Sequence, residues 1–112
     1  HRAGDHVLRR VADLVTEDAR KVDVVSRYGG EEFTVILPEV GLEGARLFAE
    51  KIRKLIEQEK FTFEGRTIPV TISLGVAELD SNIAAADDMI KTADRRLYAA
   101  KEGGRNRTVA EG

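Results

Sequence analysis

The sequence contains no cysteine, which excludes a disulfide framework, a zinc ribbon and a thiol nucleophile. Tryptophan is also absent, and the aromatics amount to four Phe and two Tyr. An RNA-binding α+β domain needs exposed aromatics on central strands and a basic face. Here 18 Lys and Arg stand against 20 Asp and Glu, a net charge of −2. That balance argues against bulk attachment to nucleic acid or anionic membrane, which draws on counterion release at a basic surface. No apolar run approaches the ~20 residues of a membrane span, and no secretory leader opens the sequence. The expectation is a cytoplasmic protein. Neither a G-x-x-x-x-G-K-[ST] nor a G-x-G-x-x-G phosphate loop is present, and no H-E-x-x-H. His1 and His6 do not suggest a metal pair. Ser26 and Ser73 lie in expected strands without a histidine partner, against a Ser-His-Asp hydrolase.

What is present is one ordinary domain. The chain has 112 residues, 42% apolar and 34% charged, enough for a single modest core. Its first residue is His1 rather than Met, so the expectation is a sequence that starts inside a larger protein. Val7, Leu8, Val11, Ala12, Leu14 and Val15 recur at helical spacing, with Asp5 placed as an N-cap or first-turn acid. Two valine-rich runs, Val22 to Tyr28 and Phe33 to Leu37, flank Gly29-Gly30-Glu31-Glu32 and read as a β-hairpin. Ala45, Phe48, Ala49, Ile52, Leu55 and Ile56 predict a second helix. Its far side (Arg46, Glu50, Lys51, Arg53, Lys54, Glu57) reads as solvated. Phe61 to Phe63, a turn at Glu64-Gly65-Arg66 and a strand from Ile68 to Ala77 follow. Met89, Ile90, Ala93, Leu97 and Ala100 predict a third helix, stopped by Gly103-Gly104. Asn106 to Val109 reads as a short last strand. The order α-β-β-α-β-α-β predicts an α+β domain, a mainly antiparallel sheet flanked by helices.

Three clusters carry chemistry. Arg27-Tyr28-Gly29-Gly30-Glu31-Glu32-Phe33 puts two acids beside a turn without side chains, an arrangement that suits a hard cation shared with phosphates. A plain Gly-Gly turn with two solvated acids is the commoner reading of the same residues taken alone. Lys101-Glu102-Gly103-Gly104-Arg105-Asn106-Arg107 can collect phosphate oxygens, with Arg105 or Arg107 as a bidentate fork, or can be a cationic helix cap. Arg20-Lys21-Val22-Asp23 can pair internally or bind a ligand offering both phosphate and a base edge. Spacing alone leaves each choice open.

Taken in order, these blocks resemble the GGDEF family, the catalytic domain of bacterial diguanylate cyclases. His1-x-x-Gly4-Asp5-x-x-Leu8 is similar to its "GH…GD…L" stretch, and Gly29-Gly30-Glu31-Glu32-Phe33 to its signature in the GGEEF form. Val70 to Ala77 resembles "VTxSxGVA". Ala93-Asp94-x-x-Leu97-Tyr98-x-Ala100-Lys101-x-x-Gly104-Arg105-Asn106 resembles the closing "AD-x-x-LY-x-AK-x-x-GRN". The resemblance implies a ferredoxin-like, palm-type nucleotide-cyclase fold over residues 1–112. These would form the C-terminal two-thirds of the domain, behind a first strand that carries a further metal-binding Asp.

By resemblance, two such domains form a homodimer, each holding one GTP with Mg²⁺ or Mn²⁺, and condense them into cyclic di-GMP. Glu31 and Glu32 would be the catalytic, metal-holding acids. Asp5 would read guanine, Gly29 and Gly30 would let the nucleotide lie on the turn, and Lys101 and Arg105 would hold phosphates. Arg20 and Asp23 match an R-x-x-D inhibitory site for the product, with Lys51 as a further basic partner. A regulatory domain before the chain is implied as well. The competing expectation is a non-catalytic receptor that binds cyclic di-GMP at the same R-x-x-D site.

Overall fold

The computed structural model describes residues 2–29, 31–79 and 85–112, with Tyr28 and Gly29 described by backbone alone. Helix α1 spans Arg2–Asp18 and buries Val11, Leu14 and Val15, the middle of its expected stripe. Asp5 lies in the first turn of the helix. The last turn has no basic residue, so Glu17 and Asp18 face the negative end of the helix dipole. Lys51 offsets this from outside, with Nζ 2.9 Å from Asp18 Oδ1.

Strands β1 (Val24–Gly29) and β2 (Glu32–Ile36) form the expected antiparallel hairpin. β1 starts two residues later than Val22 because the Asp23 N–H donates to the Arg20 carbonyl at 3.0 Å and closes a turn there. Val25, Phe33 and Val35 pack toward the core, and alternation leaves Val24 and Ile36 on the exposed face. Between Arg27 and Gly29 the register gains a residue on β1. Such a bulge twists the hairpin just before its tip.

Helix α2 (Leu42–Gln58) buries Ala49, Ile52 and Ile56. Leu55, expected in the same stripe, stays 37% exposed, because it lies at the stripe's margin. β3 (Phe61–Phe63) and β4 (Arg66–Ile68) pair antiparallel across Glu64 and Gly65. Both turn residues have positive φ, 52° and 78°, the backbone a tight two-residue hairpin requires. The strand expected from Ile68 to Ala77 is divided. Pro69 has no N–H to give a ladder, and among the described residues 69–73 belong to no strand. Val70 and Ile72 nevertheless pack on the core.

Pairing resumes at β5 (Leu74–Gly75), which runs parallel to β6 (Thr108–Val109). The residue before β6, Arg107, accepts the Leu74 N–H at 2.9 Å. Helix α3 (Ala86–Glu102) lies against β5, burying Thr92 and Ala100. Ile90, expected on its inner face, is 42% exposed, a helical turn away from the Gly75 contact. The central cluster is Val11, Leu14, Val15, Ile52, Ile56 and Phe61, supplied by α1, α2 and β3. The result is the α+β layering expected, with helices against short, mainly antiparallel strands.

Candidate functional site

The hairpin tip and the end of α3 meet. Lys101 Nζ lies 3.8 Å from Glu32 Oε2, so one residue of the basic cluster and one of the two acids share a locality. Neither charge is deeply buried, at 38% and 43% exposure, so a ligand can reach both. Glu31 is exposed and turns the other way. It lines a cavity of about 260 Å³ with Ala3, Gly4, Val7, Leu8, Ile68 and Val70. Among the described residues no group of three or more His, Cys, Asp or Glu is assembled for a metal. Gly29 is the last residue of β1, and Gly30 lies outside the described residues.

Asp5 opens onto a larger cavity, about 520 Å³, between α1 and β1. Leu8, Ala12, Val25 and Phe33 give it apolar walls, and Arg9 and Arg27 add cations. Asp5 recurs with Leu8 and Ala12 because residues three, four and seven apart share a helix face. A carboxylate beside apolar walls suits a flat ring bearing N–H donors.

α3 ends in a Schellman arrangement. Gly104, at φ 123°, takes the left-handed position, and the Arg105 N–H donates back to Ala100 O at 2.9 Å. Arg105 and Asn106 follow at φ 63° and 47°, both left-handed. The Arg105 side chain is exposed, with no hydrogen-bond or ion-pair partner among the described residues. Arg107, the other expected fork, is folded back: its Nε donates to Arg105 O at 3.1 Å, and its guanidinium covers Gly103 and Gly104. Of the two arginines, Arg105 is the one free to take a phosphate.

At the opposite end of β1, Arg20 and Asp23 hold each other. Arg20 Nε and NH2 donate to Asp23 Oδ1 at 3.0 and 2.7 Å, and the Arg20 backbone N–H donates to Oδ2 at 2.7 Å. NH2 also donates to Pro38 O at 2.9 Å. These hydrogen bonds hold the Asp23 carboxyl below its usual range and raise the Arg20 guanidinium. The Asp23 side chain is 1% exposed and that of Arg20 is 51%. Asp23 thus aims Arg20, the internal pairing that is one of the two readings of this run. Lys51 is paired with Asp18, two residues before Arg20.

The family profile described as diguanylate cyclase, GGDEF domain, matches residues 1–107. The chain belongs to the GGDEF family. It is 41% identical over 109 residues to diguanylate cyclase A of Treponema denticola, covering 97% of this chain and 29% of that protein. The chain therefore spans less than a third of that relative's length. Among solved structures it is similar to the GGDEF domain of DgcB from Caulobacter crescentus in complex with c-di-GMP. There the TM-score is 0.91 at 32% identity, covering 97% of this chain and 65% of that one. The active GGEEF domain of a diguanylate cyclase from Vibrio cholerae gives 0.88 at 31% identity, over 100% and 71%.

Sequence reasoning missed one part of this GGDEF domain. Within the face of α2 read as solvated, Lys51 and Lys54 are exposed as expected, but Arg53 and Glu57 are bound to the loop after α3. Arg53 NH1 donates to Asn106 Oδ1 at 3.0 Å, and Asn106 Nδ2 donates to Glu57 Oε2 at 2.6 Å. Arg53 is itself gripped by both Glu50 oxygens, at 2.9 and 3.0 Å. The only available signal was the charge density of that face, which a solvated helix shows equally.

Proposed function

We propose that this domain, as part of the whole protein, condenses two GTP into cyclic di-GMP with release of two pyrophosphates. The observation that carries the reading is the meeting of Lys101 with Glu32, which supports a phosphate-binding cation and a metal-holding acid acting together at the hairpin tip. Asp5 accepts from the guanine N1–H and amino group at the mouth of its cavity, a pattern adenine cannot match. Lys101 and Arg105 take the terminal phosphates. Arg105 binds as a fork, and Lys101 as a point charge. Gly29 and Gly30 leave the turn bare for the nucleotide. The 3′-hydroxyl of one GTP attacks the α-phosphorus of the other across a homodimer, so catalysis is mainly positioning and charge stabilisation.

Mg²⁺ or Mn²⁺ fits the donor set. Magnesium takes one or two carboxylates together with substrate phosphates, and Glu31 is an exposed carboxylate at the tip. When bound, the ion would neutralise charge developing on the phosphates. Glu31 would be its principal protein ligand. Glu32 would act beside it, on the metal or on the 3′-hydroxyl proton.

The test is turnover by the whole protein with GTP and with ATP, followed by cyclic dinucleotide formation. We expect product from GTP alone. Glu31→Ala should lower turnover by about 100-fold or more, the scale of losing a charge stabiliser. Its melting temperature should hold, because exposed substitutions of this kind rarely cost more than about 0.5 kcal/mol. Near-normal turnover in that variant sinks the role of Glu31. Tight cyclic di-GMP binding without turnover in the unaltered protein would make the domain a receptor.

A further inference from the structure

We infer that Asn106 is a positioning residue for phosphate recognition: it clamps the loop leaving α3 onto α2 and so fixes the direction of Arg105. The inference deepens the GTP reading above and rests on it. Arg105 and Asn106 stand consecutively in the left-handed region, at φ 63° and 47°. Asparagine tolerates that region; a long side chain such as arginine seldom enters it unless its surroundings hold it there.

Three hydrogen bonds do the holding. The Asn106 N–H donates to Ser73 Oγ at 3.2 Å, Oδ1 accepts from Arg53 at 3.0 Å, and Nδ2 donates to Glu57 at 2.6 Å. A residue serving only as a turn former needs none of these long-range partners. Here both side-chain atoms are spent on α2, at sequence separations of 53 and 49 residues. The anchor is itself firm: Arg53 is 15% exposed and bound by both oxygens of Glu50. On its other side, Arg105 is tied through its N–H to Ala100 O and through its carbonyl to Arg107. Its backbone is thus fixed on both sides, while its guanidinium projects without a partner among the described residues. A fork that leaves a fixed backbone position has less freedom to lose when a phosphate arrives.

The test uses three variants of the whole protein. Asn106→Ala removes both side-chain contacts. Asn106→Asp keeps the left-handed tolerance and the acceptor for Arg53, but sets a carboxylate against Glu57. The double variant Asn106→Asp with Glu57→Gln returns a donor facing an acceptor. We expect Asn106→Ala and Asn106→Asp to raise KM for GTP about tenfold with kcat within about twofold. Binding of guanosine, which has no phosphates, should not change. The double variant should recover KM to within about threefold of the unaltered protein. An unchanged KM in folded Asn106→Asp overturns the inference, as does a folded double variant that fails to recover. A fall in kcat alone also overturns it. If the unaltered protein neither binds nor converts GTP, the GTP reading fails and this inference fails with it. An active protein whose Asn106 variants are indistinguishable from it defeats this inference alone.

Discussion

Arg53 holds both oxygens of Glu50, and that pairing carries the Glu50 carboxyl from its ordinary 4.5 down to about 2. The sign of the linkage follows. The folded value lies below the unfolded one, so the pair contributes stability above about pH 4.5, and this is lost as the pH falls toward 2. Arg20 lowers Asp23 and Arg46 lowers Glu43 in the same sense, so the whole domain should weaken on that acid limb. Glu50→Gln isolates one share. Its melting temperature should lie below that of the unaltered protein at pH 7, and the gap should close as the pH approaches 2. A gap that stays constant between pH 6 and 2.5 would mean that Glu50 does not titrate with the fold. These residues were legible as charges but not as partners. Arg53 and Glu50 are three apart, and that spacing looks the same whether water or a returning loop covers the helix face.

Elements were read more fully than contacts, and Gly75 shows why. The alternation of Val70, Ile72, Leu74 and Val76 places Gly75 on the other face, but it does not say what comes close there. In the fold it is α3: a Cβ at Gly75 would collide with the Ala93 carbonyl oxygen and the Leu97 backbone nitrogen. Because both are backbone atoms of a helix, neither can swing away, and α3 must move as a body. Gly75→Ala should therefore destabilise the domain by roughly 3 kcal/mol, at the upper end of overpacking costs. Denaturant unfolding would measure this; a loss below about 1 kcal/mol would mean that α3 sits more loosely on β5. The three helices and the first hairpin were legible because their periods extend over many residues. Two things were not. Pro69 divides the fourth run, an effect on backbone donors that side-chain alternation conceals. The parallel pairing of β5 with β6 joins residues more than thirty apart, beyond any local period. At the site, the GGEEF run and the proximity of Arg20 and Asp23 could be read from the sequence, but spacing did not decide whether those two pair with each other or with a ligand. The third partner of Arg20, the carbonyl of Pro38, could not be read, because it lies 18 residues further along the chain.

Across the whole molecule, β1 separates two charged sites. Arg20 and Asp23 precede its first residue, and Gly29 ends it beside the acids of the tip. At about 3.3 Å per residue, the interval from Asp23 to Gly29 is roughly 20 Å. A ligand bound at Arg20 does not touch the tip, so inhibition by cyclic di-GMP at this site should be non-competitive with GTP. The donor inventory says how it would bind. Asp23 and Pro38 occupy Nε and NH2 of Arg20, which leaves NH1 to project toward a phosphate or a guanine acceptor edge. Arg20→Ala removes that donor and also strands the Asp23 carboxylate, 1% exposed, with the backbone N–H of residue 20 as its remaining partner from this pair. Asp23→Asn is the gentler probe: it keeps the shape and loosens the aim of Arg20. We expect the inhibition constant for cyclic di-GMP to rise about 10- to 100-fold in Arg20→Ala, the scale of a lost charged hydrogen bond, and by less in Asp23→Asn. Lys51→Ala should have a smaller effect still, since Lys51 is paired with Asp18 rather than with Arg20 or Asp23. Initial rates across GTP and cyclic di-GMP concentrations separate the outcomes. Inhibition that GTP relieves competitively would place the product at the hairpin tip. Equal inhibition constants in all three variants would leave Arg20 and Asp23 as an ion pair that only shapes the start of β1.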